Sequence, residues 1–387
     1  MQDIQVEPLF DDDDELIQDL HPKDYRSLIV YSRDWTIGTI LQQIKDENIK
    51  LDPEFQRRNA WTDDKRSGLI ESLIVGIPVP QIVFAENPEK RKSYIVIDGR
   101  QRLLTIAGFF DPSIGFWKEP KLKLLQLRED LDGQTASTLE RDKPDAYREL
   151  NNADMRCGII ASREATNDLL YYVFYRLNTG SVSLSTQELR QALSRGAFSS
   201  YLSETTSKSG AIHKLMGLDG PDNRYRDAEV LLRYISFSLF LPKYRGNLKL
   251  FLDNAMDEIN ADWSVYEAKV KKEYKKLLVA INLLESVFGQ ENIGRRPLED
   301  GRYDRRFNRA VFEVQVYFFK KLTLTDLKGK EGKLKSAFEK MFSENDRFRQ
   351  SVSSTTKSLD QYDVRFATMR NLLLKTLKID LESPSFA

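Results

Sequence analysis

The chain has 387 residues, 41% apolar and 30% charged, a composition that suits a folded protein of about two domains and not a disordered one. Its 59 lysines and arginines balance 59 aspartates and glutamates, so it does not coat nucleic acid with its whole surface; any DNA or RNA contact must come from a local patch. One cysteine excludes an internal disulfide, and two histidines argue against a His-rich zinc site or an HNH nuclease centre.

Residues 1–27 read as a flexible acidic tail, with Asp11, Asp12, Asp13, Asp14 and Glu15 where a signal peptide would need a basic start and an apolar run. The longest apolar runs, such as 169–174, fall far short of a membrane span. With a single cysteine, this predicts a cytoplasmic protein. Thr36 then caps a helix carrying Ile37, Ile40, Leu41 and Ile44 at helical spacing. Thr62, Asp63 and Asp64 open a second helix with the apolar stripe Leu69, Ile70, Leu73 and Ile74; Gly76, Pro78 and Pro80 end it. Strand-like runs at 81–85 and 94–97, separated by polar residues, suggest a hairpin. Leu103, Leu104, Ile106, Ala107 and Phe110 recur at helical spacing. A weaker strand is expected at 121–127, a further strand at 155–161 and a buried helix at 169–177. Ser185 and Glu188 form a capping box for the next helix. From about 228 to 377 nearly everything is helical and amphipathic. The expected organisation is α+β, with an N-terminal domain over 28–200 and an all-helical domain over 201–387.

The informative turn is Asp98-Gly99-Arg100-Gln101-Arg102, between a strand and a helix. Glycine lets backbone approach a ligand closely, and the helix start presents free N–H groups and a positive dipole end. Arg100 and Arg102 add guanidinium donors suited to phosphate oxygens. Asp98 could hold Mg²⁺ or orient a water, and Gln101 can donate and accept. The same spacing also fits a plain turn with two solvated arginines. No Walker-type loop is present.

Ordered segments around this turn resemble a known family. They are Asp52-Pro53-Glu54-Phe55-Gln56-Arg57, Trp61, Leu69-Ile70-Glu71-Ser72-Leu73, Ile77-Pro78-Val79-Pro80 and Ile97-Asp98-Gly99-Arg100-Gln101-Arg102. The likeness continues in Phe174-Tyr175-Arg176-Leu177-Asn178-Thr179-Gly180 and in 184–190, and more weakly at 226–229 and Arg233. Together they resemble the N-terminal domain family of GmrSD-type, modification-dependent restriction systems, whose marks are a QR-x-x-x-W and a DGQQR segment. That family is similar, more distantly, to the ParB and sulfiredoxin folds, where a G-x-R-R segment after a strand binds nucleotide phosphates. The resemblance implies a ParB/sulfiredoxin-like N-terminal domain and a pocket for an NTP with Mg²⁺. Carried over, the site is Gln56, Arg57, Asp98, Gly99, Gln101 and Arg102. Arg100 replaces the family's usual first glutamine, which keeps a donor and adds charge. Asn178 and Arg190 either form a second wall of the pocket or simply close a helix and face water.

Relatives often carry an HNH nuclease in a C-terminal domain or a partner subunit. The C-terminal half here offers only His213, and no convincing PD-(D/E)xK set is present. Cleavage is therefore expected from another chain. The turn at 98–102 contains no cysteine, which excludes sulfiredoxin chemistry, and Cys157 reads as a small buried apolar residue. Arg295, Arg296, Arg302, Arg305, Arg306 and Arg309, with Tyr303 and Phe307, form a local basic patch for possible DNA contact. The interspersed Glu299, Asp300 and Asp304 suit a salt-bridged loop instead. These features imply an NTP-binding, and by extension NTP-hydrolysing, regulatory subunit of an anti-phage restriction system. The rival is a non-catalytic DNA-binding or scaffold module of the same fold.

Overall fold

The computed structural model describes residues 29–51, 61–87, 90–114, 117, 119–161, 173, 185–353 and 358–384. Gln56, Arg57, Asn178 and the helix expected at 169–177 (Val173 apart) lie outside the described residues. The contacts divide the chain into two compact units, with the boundary between Leu193 and Ser194.

The first unit is mixed α and β. Strand β1 (Ile29–Thr36) runs into helix α1 (Ile37–Lys45), whose first turn is closed by Thr36 Oγ1 accepting from Thr39 N–H at 3.1 Å. Helix α2 (Asp63–Val75) starts at Thr62 with two acids in its first turn and stops at Gly76, which is left-handed at φ 76°. β2 (Ile82–Glu86) and β3 (Tyr94–Asp98) form the antiparallel hairpin, and α3 (Arg100–Phe110) follows. Helices α4 (Ala136–Asp142) and α5 (Pro144–Asn152) lead to β4 (Asp154–Ala161). The sheet order is β1-β4-β2-β3, with β2 parallel to β4 and the other pairs antiparallel. One face buries Met155, Cys157, Ile159, Ile82 and Phe84 against Ile37, Ile40, Ile70, Leu73, Leu103 and Ile106 of the helices. Strand periodicity alternates these residues onto one side, and helical periodicity supplies the matching stripes.

The strand expected at 121–127 is not one. Its backbone is held by side chains, with Lys123 N–H donating to Ser67 Oγ at 3.0 Å and Leu125 N–H to Asp132 Oδ1 at 3.1 Å. Leu127 N–H donates to Glu71 Oε1 at 2.7 Å. Leu124 sits at φ 55° with its side chain in solvent. The apolar-rich run resembles a strand in sequence, but Ser67 and Glu71, more than fifty residues earlier, and the nearby Asp132 satisfy its backbone in place of a ladder.

Helix α6 (Thr186–Leu193) ends this unit, and Ser185 and Glu188 make the reciprocal bonds of a capping box. The second unit is helical: α7 (Ala197–Thr205), α8 (Ala211–Met216), α9 (Arg226–Phe240), α10 (Leu248–Ala261), α11 (Trp263–Phe288), α12 (Arg309–Phe319), α13 (Leu324–Leu327), α14 (Glu331–Glu344), α15 (Asp346–Ser351) and α16 (Leu359–Leu377). Its core gathers Leu231, Ile235, Leu252, Leu277, Leu284, Val314, Phe318, Phe338 and Leu373. Within it lies a buried ionic network. Arg233 pairs with Glu229 at 2.9 Å and Glu313 at 3.2 Å, and Tyr362 donates to Glu313 at 2.9 Å. Among the described residues no helix is long and apolar enough to cross a membrane.

Candidate functional site

Strand β3 meets β2 with an irregular register beside the turn: Val83 pairs with Asp98, whereas Phe84 pairs with Val96. Such a bulge re-aims a side chain at the end of a strand. The chain then reverses at Gly99, at φ 88°. A Cβ there would stand 2.8 Å from Ile82 Cγ1 and 3.1 Å from Ile82 Cα, so both the backbone angle and the space require glycine.

Helix α3 begins at once. Its first internal bond is Leu103 N–H to Gly99 O at 3.0 Å, so the N–H groups of the first turn have no partner inside the helix. That turn contains no acid and no side-chain cap, and it carries two arginines. Cations at the positive end of a helix are unfavourable by themselves. Asp98 offsets part of this. Arg102 Nη2 donates to Asp98 Oδ2 at 3.0 Å and to Gln81 O at 2.9 Å. Arg102 is 14% exposed and Asp98 40%. Arg102 Nη1 and Asp98 Oδ1 make no hydrogen bond among the described residues, and Gln101 has its side-chain amide unengaged there too.

Asp98, Gly99, Arg100, Gln101 and Arg102 are thus brought together. Arg190 does not face water: it is fully buried and donates to Gln187 Oε1 at 2.6 Å, on a helix, α6, that packs against β3. Sequence reasoning missed Gln81 and Ile82. Gln81 acts through a backbone carbonyl, which leaves no residue-type signal, and Ile82 acts through shape.

A single carboxylate with one unpaired oxygen suits Mg²⁺, which is usually held by one or two carboxylates plus substrate phosphates. Among the described residues no cluster of three or more His, Cys, Asp or Glu could hold a metal alone. His213 is engaged structurally: Gly210 N–H donates to Nδ1 at 3.0 Å, and Nε2 faces Asp227 Oδ2 at 2.9 Å. Cys157 is buried, and burial pushes its thiol up to about 12.

Residues 37–194 match the family described as GmrSD restriction endonuclease, N-terminal domain. This segment is a GmrSD N-terminal domain. No curated protein and no solved structure matched the chain. The match spans the first unit from α1 to the end of α6, so the Asp98–Arg102 turn and Arg190 both belong to the GmrSD N-terminal domain. The helical unit beyond Ser194 lies outside it.

Proposed function

We propose that this chain is the nucleotide-dependent regulatory component of a GmrSD-type restriction system, with the Asp98–Arg102 turn as its phosphate site. The observation that carries the reading is a left-handed glycine opening a helix whose uncapped first turn holds two arginines. That geometry suits an anion, because ligand phosphates would accept from N–H groups of the first turn and offset the repulsion between arginines and dipole. Strand, glycine turn and arginine-bearing helix also favour a ParB/sulfiredoxin-like ancestry for the domain.

In this reading the first-turn N–H groups, Arg100, Gln101 and Arg102 Nη1 hold the phosphates. The family resemblance adds Gln56, Arg57 and Asn178 to the candidate ligand contacts. Asp98 Oδ1 holds Mg²⁺ or orients the attacking water. Mg²⁺ would supply charge neutralisation at the phosphates. Arg190 supports the wall behind β3 and does not touch ligand. The nuclease is a separate chain, and the protein works in the cytoplasm.

One observation favours the scaffold reading: the Asp98–Arg102 pair by itself gives both side chains a structural purpose. Phosphate release from each NTP with Mg²⁺ separates the two. The regulatory reading requires turnover by wild type that Asp98→Ala abolishes; a wild type with no turnover leaves the scaffold.

A further inference from the structure

Helix α11 carries lysines at 269, 271, 272, 275 and 276. Two are neutralised, Lys271 by Glu267 at 2.5 Å and Lys276 by Glu273 at 2.6 Å. Lys269, Lys272 and Lys275 are exposed and have no acidic partner among the described residues. Lys269 only leans over the Tyr266 ring, at 5.1 Å. At helical periodicity the three share one face, within an arc of about 120°. Like charges three and four residues apart repel on a helix. The opposite face, with Val270, Leu277, Ile281, Leu284 and Phe288, is already buried, so the fold makes no use of the lysines.

The arginine cluster of the same unit is different. Arg296 is held by Asp304 at 2.7 Å and Arg302 by Asp300 at 2.6 Å, while Arg295 and Arg309 are buried. Arg306 leans on Asp304 at 3.6 Å, which leaves Arg305 as the one exposed arginine of the six with no ion pair among the described residues.

We propose that the Lys269–Lys272–Lys275 face of α11 is a docking surface for the phosphate backbone of duplex DNA. From 269 to 275 the helix rises about 9 Å, the axial length of about three phosphates of one strand. Lysine is depleted in protein–protein interfaces, which disfavours an acidic protein as the occupant. The exposed Val265 and Val279, 57% and 55% accessible, lie about 21 Å apart and form no apolar core for such a partner. The restriction-system reading names DNA as the polymer; the charge argument stands without it.

Fluorescence anisotropy of the full chain with a labelled duplex, without nucleotide and across a salt series, tests this. The variant Lys269→Gln/Lys272→Gln/Lys275→Gln should bind at least about tenfold more weakly, with a log–log salt slope shallower by about 2.7. Lys272→Gln alone should lose about 0.9 of slope. Relief of like-charge repulsion should leave the triple variant melting no lower than wild type. Lys208→Gln/Lys214→Gln/Lys328→Gln, an equal charge change at exposed sites elsewhere, should keep the wild-type slope. Asp98→Ala should keep it too, so a failure of the nucleotide reading leaves this test intact. An unchanged slope in the triple variant, an equal loss in the control, no wild-type binding at low salt, or polyglutamate displacing DNA at matched charge would each overturn the proposal.

Discussion

Arg102 Nη2 lies 3.0 Å from Asp98 Oδ2 and 2.9 Å from the Gln81 carbonyl, so one guanidinium nitrogen ties the first turn of α3 to the end of β3 and the start of β2. Arg102 is therefore part of the framework as well as a candidate phosphate donor. Because Asp98 is well exposed, solvent screens the ion pair, and its net worth is about 1 kcal/mol. Arg102→Ala should cost that plus the bond to Gln81, about 1–2 kcal/mol in all. Denaturant titration should register this loss, whereas Asp98→Asn should lose no more than the ion pair, about 1 kcal/mol, because Arg102 keeps Gln81.

Gly99→Ala should be the harsher change. The φ of 88° strains any L side chain, and the added carbon meets Ile82 at 2.8 Å. Strain of this kind costs about 1–3 kcal/mol. The turn should also shift away from β2, so nucleotide binding should fall together with the melting temperature of the first unit. Unaltered binding in Gly99→Ala would remove the turn from the site.

Much of the architecture could be read from residue patterns because the deciding interactions are local. Thr36, Thr62 and Ser185 cap helices through neighbours three residues on, and Gly76 and Gly99 are left-handed where the sequence demands a stop or a turn. Long-range satisfaction was not legible. Residues 121–127 read as a strand because Ser67 and Glu71, which hold that backbone, lie more than fifty residues away. At the site, Asp98 to Arg102 stood out by type and spacing, but the Gln81 carbonyl carries no signature. For Arg190 the sequence left open a pocket wall or a solvated residue, and its burial depends on tertiary packing that carries no local signal.

Glu71 makes the loop at 121–128 sensitive to acid. Burial alone would raise its carboxyl, but backbone bonds from Leu127, Arg128 and Gln126 outweigh this and hold it below the usual carboxylate range. A depressed folded value means the contribution is present at neutral pH and is lost as pH falls through that value. Glu71→Gln should cost about 1–3 kcal/mol at pH 7. The gap to wild type, followed by denaturant titration, should narrow as pH falls below the ordinary carboxylate range.

Cys157 should report unfolding. With its thiol pushed up to about 12 by burial in β4, it should resist a thiol reagent at pH 8 in the native protein. It should react fully in denaturant. Fast labelling without denaturant would contradict the sheet packing around Met155 and Ile159.

The account stands most directly on calorimetric titration of the full chain with each of the four NTPs and Mg²⁺. Wild type should bind at least one of them. Arg102→Ala should bind it about 10–150-fold more weakly, the loss of one charged hydrogen bond. No heat from wild type with any NTP at millimolar concentration, or equal affinity in Arg102→Ala, would contradict a phosphate site at the Asp98–Arg102 turn.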